Sequence, residues 1–303
     1  MSHPPGFLGF HDRLADDARP RIVLFGAPHG TPYPGIESAG FARAPAAIRA
    51  ASQDDADWLD HWDFDLDGPL FADGALCCID IGDIKTVLGE SARNRELIEE
   101  QTRRIVSASA VPIMIGGDDS VPIPFLAGFA GARPIWILQI DAHIDWREER
   151  YGERFGFSST MRRASEMAHV AGIVQVGMRG LGSARAGEVE AARAYGAHLV
   201  TAREIHRDGI QAALRHIPSA ARVVITLDCD GMDAAIMPAV VARTPGGLSY
   251  TQIIELIAGA SARGRVVGFD MIEFHPPTDF DGLSALTAAR ILVNVIGRIA
   301  RQP

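Results

Sequence analysis

Cysteine is scarce in this chain: its 303 residues include three, Cys77, Cys78 and Cys229. An odd count with two of them adjacent excludes a disulfide framework, and buried thiols in a reducing compartment, hence a cytoplasmic location, are expected. Basic charge is also short, with 29 Lys and Arg against 38 Asp and Glu and a formal net charge of −9. That balance lacks the positive surface on which binding to a phosphate backbone rests, so no nucleic-acid partner is expected. Uncharged stretches such as Ile105–Gly117 and Ser120–Ala132 fall short of the roughly 18 residues a bilayer-spanning helix needs. Both contain proline, and no membrane partner is expected. Met1–Leu14 mixes His3, two prolines, Asp12 and Arg13, with no basic region leading into an apolar core, so no secretory signal is expected.

What is present is apolar content of 47% at a mean hydropathy near zero, too high for disorder and ordinary for a globular chain. Short β-branched or apolar runs alternate with segments of helical length, the signature of a parallel sheet covered by helices on both faces. The expected fold is a three-layer α/β/α domain with a mostly parallel central sheet, one domain over residues 1–303. Its strands are expected at Arg21–Gly26, Leu76–Asp80, Val111–Ile115, Pro134–Ile140, Gly172–Val176, His198–Val200, Val223–Leu227 and Arg265–Phe269. Helices are expected at Ala44–Ala51, Ala92–Ala108, Thr160–Met167, Ala184–Ala194, Gly209–Arg215, Tyr250–Ala262 and Ser284–Arg298. The Gly/Pro/Ser-rich Pro28–Phe41 and the Asp-rich Gln53–Asp73 read as surface loops, because strands follow each without a break in the alternation.

In an open parallel sheet, ligands gather beyond the carboxyl ends of the strands. Four candidate strands end on chemistry-bearing residues: Gly116-Gly117-Asp118-Asp119-Ser120, Asp141-Ala142-His143-Ile144-Asp145, Asp228-Cys229-Asp230 and Asp270-Met271-Ile272-Glu273-Phe274. Alternate spacing turns Asp141, His143 and Asp145 to one side if the chain stays extended, and Asp228 with Asp230 repeats the pattern. An Asp-x-Asp after one strand also serves as a helix cap or a surface loop. Four such segments together collect carboxylates whose mutual repulsion is relieved by divalent cations. Oxygen-rich donors with an imidazole suit Mn²⁺ and related ions, and the absence of Cys donors argues against structural zinc.

At these residues the chain resembles the ureohydrolase family of arginases and agmatinases, over about Arg21 to Arg298. Further segments carrying the resemblance are Asp80-Ile81-Gly82-Asp83, Val174–Gly180 and Pro245-Gly246-Gly247-Leu248-Ser249. The resemblance implies hydrolysis of a guanidino compound (agmatine, a guanidino acid, or an alkylated guanidine or biguanide) to urea or a urea-like product plus an amine at a binuclear centre. Two divalent ions per chain are implied, Mn²⁺ first, with Ni²⁺ or Co²⁺ as alternatives. Asp141 and Asp228 correspond to bridging carboxylates, His143 and Asp230 to ligands of one ion, and Asp145 to a ligand of the other and a proton carrier. Glu273 corresponds to the carboxylate that grips the guanidinium, a match supported by charge-assisted bonds to its forked donors. Trimers or hexamers are the implied assembly.

Two departures from the family pattern stand out. Asp119 occupies the place of a metal-binding histidine, giving one site the set Asp119, Asp141, Asp145 and Asp228. Five carboxylates against two divalent ions then leave about one negative charge, which raises the pKa of a bound water. Ser158 stands in Phe157-Ser158-Ser159-Thr160 where many relatives carry a proton-shuttling histidine, and it does not titrate near neutral pH. Gly231–Ala235 and Val241–Pro245 also depart from the family's usual residues. Specificity is expected from the loops Pro28–Phe41, Trp146–Thr160 and Ala234–Pro245, with Ser158 and Arg163, beside Arg162, as candidate contacts to a substrate tail and Trp146 or Trp58 as a candidate aromatic wall. The alternative function is a catalytically weak paralogous subunit supporting an active ureohydrolase in a hetero-oligomer. A third reading keeps one ion at Asp141, His143 and Asp230, as in the single-zinc deacetylases that share this sheet.

Overall fold

The computed structural model describes residues 5–15 and 18–303, so the first four residues of the Met1–Leu14 segment lie outside the described residues. Among the described residues eight strands form one sheet: β1 (Ile22–Ala27), β2 (Cys78–Asp83), β3 (Val111–Gly116), β4 (Ile135–Ile140), β5 (Val170–Val176), β6 (His198–Val200), β7 (Arg222–Asp228) and β8 (Arg265–Ile272). Their order across the sheet is β2-β1-β3-β8-β7-β4-β5-β6, and every neighbouring pair is parallel. The inner strands β1, β3, β7 and β8 are buried along almost their whole length, which is why they read as continuous apolar runs. The edge strands β2 and β6 are only partly buried.

Among the described residues nine α-helices accompany the strands, the last of them after β8: α1 (Ala44–Ala51), α2 (Ser91–Ser107), α3 (Pro122–Ala127), α4 (Thr160–Ala164), α5 (Ala186–Tyr195), α6 (Ala202–Asp208), α7 (Gln211–Leu214), α8 (Tyr250–Arg263) and α9 (Leu283–Ala300). On one face Ile48 of α1, Ile205 of α6, Leu214 of α7, Ile257 of α8 and Ile296 of α9 pack on the sheet. On the other, Ile98 and Ile105 of α2, Phe125 of α3, Met161 of α4 and Ala192 of α5 do the same. The outcome is the expected three-layer α/β/α arrangement. Helix α9 is long and apolar enough to cross a membrane by length and composition, but most of it is buried inside the protein, as the core helix against α1 and α8.

Several expected boundaries move. Helix α4 stops at Ala164 rather than Met167, because Ser165–Met167 turn the chain back into β5, which starts at Val170 rather than Gly172. Strand β8 runs three residues past Phe269 to Ile272, and β2 covers Cys78–Asp83 instead of Leu76–Asp80. Helices α3 and α6 were not expected. The prolines that obscure α3 stand in its first turn, where no N–H bond is lost, and α6 is announced by a Thr201/Glu204 capping box.

Asp80-Ile81-Gly82-Asp83 lies in β2 and serves the scaffold. Asp80 accepts from Arg49 Nε at 2.7 Å and Nη2 at 3.0 Å, from the Phe7 amide at 2.8 Å and from the Gly82 amide at 2.9 Å, and Asp83 takes the remaining arm of Arg49. The pair clamps α1 and the N-terminal turn onto the edge of the sheet. Truncating Arg49 leaves the Asp80 carboxylate, whose side chain is fully buried, without its cation. Arg49→Ala is expected to lower stability by about 3–5 kcal/mol, read as a lower urea midpoint with an unchanged slope.

Candidate metal centre and active-site cavity

The sheet order sets β3, β8, β7 and β4 side by side, so four segments far apart in the chain end at one edge. Asp119 follows β3, Glu273 follows β8, Asp228 and Asp230 close β7, and Asp141, His143 and Asp145 follow β4. Asp119, Asp141, Asp145, Asp228 and Asp230 are all buried. Two glycines permit the close approach of these loops. A Cβ on Gly177, whose φ is +106°, would lie 2.8 Å from the Asp141 carbonyl oxygen, and one on Gly231 would lie 2.8 Å from the Asp141 amide nitrogen.

Two groups of donors result. Asp141, His143 and Asp230 each place one donor atom within 4.8 Å of the others, and so do Asp119, Asp141 and Asp228. His143 Nδ1 lies 3.3 Å from Asp141 Oδ1 and 3.1 Å from Asp230 Oδ2. Backbone amides hold the carboxylates in place: His143 N–H donates to Asp141 at 2.6 Å, Asp230 N–H to Asp228 at 2.7 Å, Ala142 N–H to Asp230 at 3.1 Å and Asp119 N–H to Glu273 Oε1 at 2.8 Å. Asp145 stands beside these groups rather than within them, its Oδ2 accepting from Gln139 Nε2 at 2.8 Å. Asp145 and Glu273 both have left-handed backbones, φ 49° and 63°, a conformation costing about 1–3 kcal/mol for a residue with a Cβ. Bonds from Arg162 N–H to the Asp145 carbonyl at 3.0 Å and from Glu273 N–H to the Gly117 carbonyl at 2.9 Å hold them there.

Burial, and then the neighbouring carboxylates, push Asp119, Asp145 and Asp228 well above the usual carboxylate range, and Asp230 upward. Burial and the Asp118 charge do the same to Glu273. Burial would depress His143, but its bonds to Asp141 and Asp230 overcome that and push it up to about 12. Asp141 is raised by burial and lowered more by His143, ending below its ordinary value. Asp119 Oδ2 is buried without a hydrogen-bond partner. An orphaned carboxylate oxygen, two compact donor groups sharing Asp141, and strong repulsion together fit divalent cations bound by oxygen with one imidazole.

A cavity of about 230 Å³ opens over the cluster, lined by Asp119, His143, Asp145, Asp228, Asp230 and Glu273 at its floor. All three loops expected to supply specificity reach it: Ile36, Glu37, Ser38 and Phe41 from the first, Trp146, Arg147, Arg150, Phe157 and Ser158 from the second, and Val241 and Ala242 from the third. Ser158 lies at the wall, its Oγ 2.7 Å from the Tyr33 hydroxyl. Arg163 corrects an expectation. It is buried on α4 with its guanidinium 3.1 Å from Glu148 and 3.2 Å from Glu166, and it does not line the cavity; Arg162 pairs with Glu148 at 2.8 Å. Trp146 is buried and lines the cavity, while Trp58 is exposed elsewhere and stacks on His61.

Sequence reasoning missed a support beneath the carboxylates. Gln139 Nε2 donates to Asp141 Oδ2 at 2.7 Å as well as to Asp145, Gln175 Nε2 donates to Gln139 Oε1, and Trp146 Nε1 donates to Gln175 Oε1 at 2.6 Å. The available signal was a glutamine inside each of two otherwise apolar strands, since a buried polar group needs partners. Thr160 and Arg179 were also missed. Thr160 Oγ1 donates to the Asp119 carbonyl, and Arg179 donates to the carbonyls of Gly177, Asp230, Met232 and Thr244, tying the loops after β5 and β7 together.

Fold and site define an α/β/α protein with a candidate metal centre and a cavity above it at the carboxyl edge of a parallel sheet. A profile of the Arginase family matches residues 20–297, and the chain belongs to that family. It is 32% identical over 214 residues to N(1)-aminopropylagmatine ureohydrolase of Thermus thermophilus, spanning 70% of each chain. It is 28% identical over 300 residues to proclavaminate amidinohydrolase of Streptomyces clavuligerus, spanning 95% of this chain and 92% of that one. The solved structure of proclavaminate amidinohydrolase superposes with a TM-score of 0.86 at 25% identity, covering 100% of this chain and 99% of the other.

Two measurements test the electrostatics. Asp270, on β8 behind Glu273, accepts from Thr226 Oγ1 at 2.6 Å while its other oxygen has no partner, and burial pushes it up to about 8. Its folded pKa lies above the unfolded value, so the associated stability is fully present below the ordinary carboxylate range and is lost as pH rises through about 8. Asp270→Asn is therefore expected to lose less Tm than the parent between pH 6 and pH 9. In metal titrations of purified protein, Gln139→Met is expected to weaken divalent-ion binding about 10- to 100-fold by freeing Asp141 and Asp145 to rotate. Asp119→His, which substitutes a nitrogen donor and removes one negative charge, is expected to tighten it.

Proposed function

We propose that the chain hydrolyses the guanidino group of a small substrate to urea and an amine. The observation that carries this reading is the pair of three-donor groups sharing Asp141, set on the floor of the cavity that Glu273 also faces. Membership of the Arginase family and similarity to proteins named for ureohydrolase and amidinohydrolase activities support it.

Asp119, Asp141 and Asp228 would hold one divalent ion and Asp141, His143 and Asp230 a second, and such a pair supplies positive charge that keeps the carboxylates ionised and makes water a competent nucleophile at neutral pH. Glu273 binds the guanidinium. Its Oε1 is fixed by the Asp119 amide, which aims the carboxylate at a planar cation with forked donors. Orientation of that cation over the floor is the main contribution of the chain to the barrier. Asp145, with Oδ2 fixed by Gln139, takes the proton lost by water on its remaining oxygen and returns it to the departing nitrogen as the guanidino C–N bond breaks and a C–O bond forms. Ser158 and Tyr33 hold each other at the wall, so the proton route runs through Asp145 and solvent rather than through a side chain at position 158.

Elemental analysis of protein purified alone, followed by urea release from agmatine, 4-guanidinobutyrate, methylguanidine and a biguanide with Mn²⁺, Ni²⁺ or Co²⁺, tests this. About two ions per chain and urea from at least one compound are expected. Well-folded protein that binds no ion and releases no urea with any of the three metals would overturn the proposal.

A further inference from the structure

The cavity is bipolar. Its floor is carboxylate, whereas two arginines, Arg147 and Arg150, stand on its wall. Arg150 is placed by a tight turn: it exchanges backbone bonds with Glu153 at 2.9 and 3.0 Å, and the two residues between them, Tyr151 and Gly152, have φ of 54° and 79°. Its guanidinium carbon lies 5.2 Å from the centre of the Tyr33 ring and 5.1 Å from that of Tyr151. Tyr33 is buried and fixed through its hydroxyl to Ser158 and by the edge of Phe157, 4.6 Å between ring centres. The cation is therefore held in a preorganised position by aromatic faces.

What distinguishes Arg150 is the lack of a counter-ion. The neighbouring arginines each have a glutamate partner: Arg147 pairs with Glu188, and Arg154, Arg162 and Arg163 share Glu148 and Glu166. Among the described residues no Asp or Glu forms an ion pair with Arg150. The two carboxylates on the cavity wall are engaged elsewhere, Glu37 with the Ala39 amide at 2.7 Å and Glu188 with the Arg185 amide at 2.9 Å and with Arg147. A half-buried, unpaired cation facing a small cavity is a site for an anion supplied by a ligand.

From this geometry we infer that Arg150 is a specificity-determining residue that reads an anionic tail, so the substrate is a guanidino carboxylic acid whose cationic head meets Glu273 and whose carboxylate meets Arg150. The inference rests on the hydrolytic reading of the floor and adds the chemistry of the opposite end. An amine-tailed substrate such as agmatine would set an ammonium against Arg150, and an uncharged alkylguanidine would leave it unpaired. A volume of about 230 Å³ admits such a small zwitterion.

The test compares kcat/KM for 4-guanidinobutyrate, methylguanidine and agmatine in the parent and in Arg150→Gln, Arg150→Lys and Arg150→Glu, all loaded with the same metal. The parent is expected to prefer 4-guanidinobutyrate. Arg150→Gln should lower its preference over methylguanidine about 10- to 100-fold, through KM rather than kcat, with Arg150→Lys recovering part of it. Arg150→Glu should shift preference toward agmatine. A parent that prefers agmatine or methylguanidine, or an Arg150→Gln variant that slows all three compounds alike, overturns the inference. If no compound yields urea, the hydrolytic reading fails, and calorimetric titration with 4-guanidinobutyrate decides the tail separately: binding weakened by Arg150→Gln upholds it, and equal binding in parent and variant overturns it.

Discussion

Mutual repulsion among buried carboxylates is the constraint around which this protein is organised. Asp119, Asp145, Asp228, Asp230 and Glu273 line one cavity floor beside the buried Asp141, and His143 pairs there with Asp141 and Asp230. Burial raises the proton affinity of each carboxylate and, at low dielectric, each added negative charge raises it further, which is the direction seen at Asp119, Asp145, Asp228 and Glu273. Such a cluster is tolerable only where fixed dipoles and bound cations offset it.

The fold supplies the dipoles. Four parallel strands end together, and the first turns beyond them present the amides of Asp119, Ala142, His143 and Asp230 to the carboxylates. Below, Gln139, Gln175 and Trp146 form a chain in which every polar atom named has a partner, so the floor is rigid and Asp141 and Asp145 cannot swing apart. The left-handed backbones of Asp145 and Glu273 are the local cost of aiming these two side chains inward. Stability comes from elsewhere, from two apolar layers and from the Arg49–Asp80 clamp at the sheet edge.

The cavity wall works by the opposite logic. Where the floor concentrates one sign of charge, the segment after β4 pairs Arg147, Arg154, Arg162 and Arg163 with Glu148, Glu166 and Glu188, and among the described residues no carboxylate pairs with Arg150. In the proposed reading, charge complementarity at both ends of the cavity would fix the orientation of a guanidino substrate as well as its affinity.

Much of this was legible in the chain. Buried parallel strands write themselves as apolar runs, and the carboxylates directly after β3, β4, β7 and β8 are readable because each depends only on the end of its own strand. The three loops that reach the cavity were legible for the same local reason. Tertiary structure decided the rest. No local pattern says that β8 and β7 insert between β3 and β4, and it is that insertion which turns four separate acidic segments into one floor. Nor does spacing distinguish Arg163, which turns to Glu148 and Glu166, from Arg150, which a two-residue turn and the Tyr33 ring direct into the cavity. Side-chain partners separated by tens of residues depend on how the crossovers pack, and that is settled by long-range burial rather than by the residues on either side.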